Sequence, residues 1–220
     1  MGTITRAGVT VICLALAPAI AVADANNRWY ATANIGFGTL ADSTLNYSDG
    51  TEAGTAEAAF DPSFAGGGTI GYQFANGWSL EGEIMYRRND LEALDIPGLG
   101  DFTEGDFASL ALGVNALYRF NFGDSGKWSG YIGPGIVYLQ EIDIDFDTAG
   151  QQETSFETDD TALQLKLGAR YDFSDRWFAE ASATWMTASG VTMELPEDSV
   201  QTIESDYDHL TISAGIGFRF

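Results

Sequence analysis

Cysteine is almost missing from this chain. Cys13 is the only one, which excludes an intramolecular disulfide and any zinc site built on paired thiols. Histidine also occurs once, as His209; an HExxH metal motif is therefore impossible, and no P-loop pattern is present. Basic residues are scarce, with 10 Lys and Arg against 32 Asp and Glu and a formal net charge of -22. That balance repels a polyanion and excludes nucleic acid as a partner, while remaining silent about the fold. Beyond the first 25 residues no segment offers the roughly 20 consecutive apolar residues of a transmembrane helix, and helical periodicity is hard to find. Stability has to come from a core, a sheet or a membrane.

The first residues explain where the cysteine goes. Arg6 precedes an apolar run from Ala7 to Ala17, then Pro18 and small residues ending in Ala21-Val22-Ala23 and Ala23-Asp24-Ala25. This is the layout of a secretory signal peptide cleaved after Ala23 or Ala25, and the run is too short to span a bilayer as a helix. Ile12 stands before Cys13 where a lipoprotein signal wants a small residue. The expected organisation is a signal peptide, 1–25, and one domain, 26–220. Its length of about 195 residues fits a single domain.

What the chain has in quantity is glycine, at 26 residues, and aromatics, at 13%, set in alternating stretches bounded by turn residues, which favours an all-β fold. Trp29, Trp78, Trp128 and Trp177 recur at intervals of 49, 50 and 49 residues, and each opens a strand-like segment. Short turn sequences, "ANG", "GDSGK" and "SDR", precede the last three, and before each turn a strand ends in Phe74, Phe122 or Phe173. Eight strands are predicted near 28–39, 64–74, 78–89, 107–122, 128–140, 160–173, 177–188 and 208–220. Short turns lie at one end and long excursions at the other, an up-and-down pattern.

Each strand has one apolar face. In 78–88, Trp78, Leu80, Ile84 and Tyr86 alternate with Glu81, Glu83 and Arg87; in 208–220, Leu210, Ile212, Ala214, Ile216, Phe218 and Phe220 alternate with polar or small residues. For 128–140, apolar in both registers, the face read as lipid-facing is Trp128, Ile132, Pro134, Ile136 and Tyr138. A soluble barrel would turn the apolar faces inward and a membrane barrel would turn them outward. The polar faces here are mostly Gly, Ser, Thr and Gln, with scattered Glu and Arg, which suits a crowded interior. The spans 41–59, 89–106, 141–160 and 189–208 hold 4, 6, 8 and 6 acidic residues and no Lys or Arg. Arg28, Lys127 and Arg176 stand immediately before three of the tryptophans. The predicted fold is an all-β, eight-stranded antiparallel up-and-down transmembrane barrel, with short periplasmic turns and four long acidic extracellular loops.

The leader, the opening "RWYATANIGFG", the "YIGPGIVY" strand and the closing "LTISAGIGFRF" resemble the small eight-stranded outer-membrane β-barrels of Gram-negative bacteria. They are similar to the transmembrane domain of outer-membrane protein A and to opacity-type surface proteins. The resemblance covers all of 26–220. It implies integral residence in outer-membrane lipid, a girdle role for Trp29, Trp78, Trp128 and Trp177, and a terminal signal at Phe218 and Phe220 read by the barrel-assembly machinery. It carries no peptidoglycan-binding domain, so cell-wall anchoring is not implied.

Eight strands enclose an interior that side chains fill, which argues against a wide diffusion pore. Glu81, Glu83, Arg87, Arg119, Lys166, Arg170, Glu180 and Arg219 fall on inward positions, and buried charges need partners; an ion-pair network plugging the lumen is expected. In the 160–188 hairpin, symmetry about Asp175 places Arg170 directly opposite Glu180. The alternative is a narrow gated channel, porin-like, through that network. A lipid-modifying enzyme of the outer leaflet would need a nucleophile beside a base; His209 has Thr211 two residues on, where a His-x-Ser pattern wants serine. A third class is binding of an extracellular ligand at the acidic loops. "QEIDIDFD" continues the alternation, with Ile142, Ile144 and Phe146 on one side, and predicts a hairpin stalk with the segment near Phe156. Counting from Asp143, Thr148 stands where a calcium loop of the EF-hand type needs glycine. The reading is a structural or surface-interaction barrel, with no catalytic residue, metal or cofactor.

Overall fold

The computed structural model describes residues 28–41, 43–48, 53–96, 100–102, 105–123, 125–146, 154–195 and 198–220; the leader lies outside them. Eleven strands are described: β1 (Arg28–Leu40), β2 (Ser43–Ser48), β3 (Ala53–Phe60), β4 (Ser63–Gln73), β5 (Trp78–Ile96), β6 (Gly100–Phe102), β7 (Gly105–Phe122), β8 (Trp128–Phe146), β9 (Thr154–Asp172), β10 (Trp177–Leu195) and β11 (Asp198–Arg219). Eight of them close a barrel in the order β1-β4-β5-β7-β8-β9-β10-β11, and β11 returns to β1 through a ladder from Tyr30↔Arg219 to Leu40↔His209. Every pairing is antiparallel. Closure removes the unpaired edges that lipid would not tolerate. Among the described residues no helix is long and apolar enough to cross a membrane.

The short turns are built by their own residues. At 75–77, Gly77 has φ 89° and the Asn76 side chain accepts from the Trp78 backbone N–H at 3.2 Å, so the chain reverses in three residues. At 174–176 the Ser174 hydroxyl accepts from the N–H groups of Arg176 and Trp177 at 3.3 and 3.0 Å.

The tryptophan repeat has a structural cause. Trp29 stands opposite Tyr72, Trp78 opposite Tyr118, Trp128 opposite Tyr171 and Trp177 opposite Phe218, with ring centroids 5.1, 5.5, 4.9 and 4.9 Å apart. Each pair joins two strands whose chain connection lies at the far end. A pair of this kind adds about 0.5–1.5 kcal/mol beyond its buried area, where no turn holds the strands together.

The apolar faces point outward. On β5, Trp78, Leu80, Ile84 and Tyr86 are exposed while Ser79, Glu81, Glu83, Arg87 and Asn89 are buried; Phe37 is 73% exposed and Ile212 62%. On β8 the outward face is the one predicted, including Ile132, Ile136 and Tyr138. A continuous apolar belt of this size on a closed surface requires lipid around it.

Two expectations need correction. The first strand ends at Leu40 as expected, but the others do not stop near 89, 140 and 188. Those of 19 residues reach about 63 Å at about 3.3 Å per residue, well beyond a hydrocarbon core of about 30 Å. The acidic spans are therefore largely strand. The 41–59 span folds as the β2–β3 hairpin, whose outer edges pair with β11 at Thr202–Glu204 and with β5 at Leu91–Asp95, continuing the wall where β1 and β4 end. The stalk on "QEIDIDFD" is present as backbone pairing, Ile142↔Thr158 and Ile144↔Phe156; the side chains of its apolar ledge lie outside the described residues.

The second correction concerns the inside, which is not polar throughout. Leu40, Leu45, Met85, Val137, Leu139, Met186, Val191, Met193, Ile203 and Tyr207 form one buried apolar cluster. On β11, Ile203 and Tyr207 point in and Glu204 and Asp206 point out, whereas from His209 onward polar or small residues point in and Leu210, Ile212 and Ile216 point out. The wall thus has the pattern of a membrane barrel over one length and of a water-soluble barrel over the next. The outer medium changes from lipid to water, and the residue types on the two faces exchange with it. On β10 a register shift between Ala188 and Val191, at Gly190 with φ 69°, accompanies the change.

Candidate functional site

Period-two geometry delivers the lumen's charges: Glu81 and Glu83 lie two apart on β5, and Lys166 and Arg170 four apart on β9, so both sets face inward. Lys166 Nζ bridges Glu81 Oε2 at 3.1 Å and Glu83 Oε2 at 2.7 Å. Arg170 reaches Glu81 Oε1 through Nη2 at 2.9 Å and Glu180 Oε2 through Nε at 2.7 Å. Glu180 is its cross-strand partner on β10. The side chains of these five residues are 3% exposed or less. Tyr30 donates its hydroxyl to Glu81 Oε1, so that carboxylate binds two cations and a phenol.

Three rings wall in the Arg170 guanidinium, with centroids 4.4 Å (Tyr30), 4.6 Å (Phe178) and 5.1 Å (Tyr131) away. Each lies against a glycine whose missing side chain makes the space. A Cβ at Gly71 would come within 2.4 Å of the Tyr30 ring, one at Gly168 within 2.4 Å of Tyr131, and one at Gly217 within 2.1 Å of Phe178. Glycines on the inward face are thus sockets for large rings on the neighbouring strand. That aromatic cage was missed from sequence; the available signal was an inward aromatic opposite a glycine.

Toward the short-turn end, Arg219 Nη2 pairs with Asp172 Oδ1 at 2.7 Å and its guanidinium lies 4.7 Å from the Phe178 centroid. Arg119 and Arg87 are brought to no carboxylate among the described residues. Arg119 donates to Gln73 Oε1 at 2.7 Å, and Arg87 Nε donates to Thr211 Oγ1 at 3.0 Å. They leave the ion-pair network that sequence assigned them to, because partner choice depends on which strands face each other across the lumen.

The Arg87 contact opens a chain of hydrogen bonds. Thr211 Oγ1 lies 3.1 Å from His209 Nδ1, His209 Nε2 lies 3.1 Å from Asn89 Oδ1, and Asn89 Nδ2 donates to the Gly38 carbonyl at 3.1 Å. With the threonine oxygen accepting from Arg87, its own proton goes to Nδ1, which makes His209 the neutral Nε2–H tautomer donating to Asn89. Hydroxyl, imidazole and amide are thus arranged in the order of a nucleophile, base and orienting group. Asn89 was not foreseen in this role. All three face the lumen, His209 being 1% exposed and Thr211 3%, away from lipid. Among the described residues no group of three His, Cys, Asp or Glu is placed to hold a metal ion.

Solved structures share this architecture. The outer membrane protein OprG from Pseudomonas aeruginosa is 19% identical, with 88% of this chain and 96% of that chain covered and a TM-score of 0.68. Neisserial surface protein A is 15% identical, with 87% and 97% covered and a TM-score of 0.51. At these identities the likeness shows the fold. No curated protein matches the chain. The family profile described as outer membrane protein beta-barrel domain matches residues 9–220. With the closed barrel, its lipid-facing belt and its ion-paired interior, the chain belongs to the outer membrane protein beta-barrel domain family and is an integral protein of the outer membrane.

Proposed function

We propose that this protein is a structural, surface-interacting barrel, exported by the leader 1–25 and acting through its water-exposed outer wall. The observation that carries this reading is the filled lumen: an ion-paired, ring-packed layer followed by an apolar layer suits a plug better than a conduit. Trp29, Trp78, Trp128 and Trp177 serve as the girdle at the periplasmic boundary, and Phe218 and Phe220 as the assembly signal. A non-enzymatic role is supported by the burial of Thr211 and His209 and by the Arg87 bond to the threonine oxygen, which draws electron density from the would-be nucleophile.

One observation favours the alternative of a narrow gated channel: Lys166 and Arg170 share Glu81, so the pairs can exchange partners. Single-channel recording on the refolded protein in planar bilayers separates the two. The structural reading expects no unit steps; steps that change with Glu81→Gln would establish the channel instead. The orientation has its own test. Protease added to intact cells should cut within 41–59 or 141–160 and spare 75–77 and 174–176, and cleavage at the short turns would reverse the topology.

A further inference from the structure

Arg87 stands apart from the other cations of the lumen. Lys166, Arg170 and Arg219 each hold a carboxylate, and Arg119 lies near the short-turn mouth with Gln73 as partner. Arg87 is 1% exposed, its Nε is bound to a neutral hydroxyl, and its Nη1 has no hydrogen-bond partner. Among the described residues it forms no ion pair. The nearest inward carboxylate on its own strand, Glu83, is four residues away, about 13 Å at about 3.3 Å per residue, and is engaged by Lys166. A buried lysine can shed its proton, but a guanidinium cannot. Its charge therefore calls for a counter-charge that the described residues do not supply.

The surroundings suit an anion of one size and sign. The cross-strand neighbours of Arg87 are Ala65 and Ser109, both small, so no bulky side chain stands directly beside it on the adjoining strands. Ser109 Oγ lies 3.0 Å from the Tyr207 hydroxyl; with the phenol donating to it, its own proton is left to donate to an anion. His209 is linked to Arg87 through Thr211 and is neutral by the hydrogen-bond chain above, so it adds no competing charge. Met85, two residues toward the short-turn end, belongs with Val137, Leu139 and Met186 to the apolar cluster and separates Arg87 from Glu83 on its own strand.

We propose that Arg87 and Ser109 form an internal binding site for one small monovalent inorganic anion, with chloride as the abundant occupant. The anion would serve as a structural counter-ion for a lumen arginine that has no acidic or amide partner among the described residues. The inference is independent of whether the barrel is a plug or a channel.

The test uses the refolded, detergent-solubilised barrel with chloride, then bromide, as probe. At constant ionic strength, replacing methanesulfonate by halide should raise the unfolding temperature of the wild type along a saturating curve. Arg87→Met should lose that response, and Arg88→Met, on the outward face of the same strand, should keep it. Arg87→Lys, which retains charge but not the fork, should need at least tenfold more halide for half saturation. Crystals grown in bromide should show an anomalous peak in contact with Arg87 Nη1. That measurement decides the matter even if Arg87→Met does not fold. A wild type indifferent to halide, a water in place of bromide, or a saturable response that survives in Arg87→Met would each overturn the site.

Discussion

Arg170→Met should be the most damaging single substitution in the interior, at about 3–5 kcal/mol, the cost of leaving a buried ion without its partner. Removal of the guanidinium leaves Glu180 without its cation and the Tyr30, Phe178 and Tyr131 rings without the charge they surround. Glu81 is spared, because Lys166 and Tyr30 still hold it. Adding Glu180→Leu should therefore recover much of the loss but not all of it, since a desolvated cation–π contact of about 2 kcal/mol is gone in both variants. The charge swap, Arg170→Glu with Glu180→Arg, discriminates more sharply. For an isolated cross-strand pair the swap would rescue. Here a glutamate at 170 would replace the cation that Glu81 now binds with a second carboxylate in the same lumen cluster, and buried like charges repel. The swap should be no better than Arg170→Met when the temperature at which heat-modifiable gel migration is lost is measured. Full recovery by the swap would remove Glu81 from the cluster.

On the other face, Leu165→Arg should cost about 2–4 kcal/mol, the penalty for a charge on the lipid side near the midplane. Leu165 lies between Trp185 and Pro134 on the neighbouring strands and points outward. It is six residues from Tyr171 of the aromatic belt, about 15 Å along the axis of a tilted barrel, which is mid-depth. Leu165→Ala should be mild, because lipid fills the space left behind. The comparison with the adjacent inward position is closer than alternation alone predicts. Gln164 is 4% exposed, donates to Asn115 and sits against Gly113 and Gly135, so Gln164→Arg overpacks the lumen at about 1–3 kcal/mol. The expected order of damage is Leu165→Arg, then Gln164→Arg, then Leu165→Ala, read as the folded fraction in urea titrations in lipid vesicles. If Leu165→Arg proved as mild as Leu165→Ala, the outward face would not be in lipid.

Strand number, closure and the direction of each face were legible in the sequence because each depends on a local signal repeated eight times. A single alternating stretch is ambiguous, but Trp29, Trp78, Trp128 and Trp177 at near-equal spacing fix where four of the eight barrel strands begin. The opposition of Arg170 and Glu180 was legible for the same reason: a three-residue turn sets the register of the hairpin that contains both. What the tertiary structure alone decided is everything that crosses the lumen. Glu81 and Lys166, or Asn89 and His209, are separated by 85 and 120 positions, and their meeting depends on barrel stagger and side-chain reach, which leave no mark at short range. The extent of the strands past the bilayer was hidden too. In the acidic spans water surrounds the wall, so polar residues sit outside and Leu45, Met193 and Ile203 sit inside. Read with the rule that holds at membrane depth, that reversed pattern looks like loop. The local signal is the same alternation throughout; its meaning changes with the medium, and only the closed wall shows where lipid gives way to water.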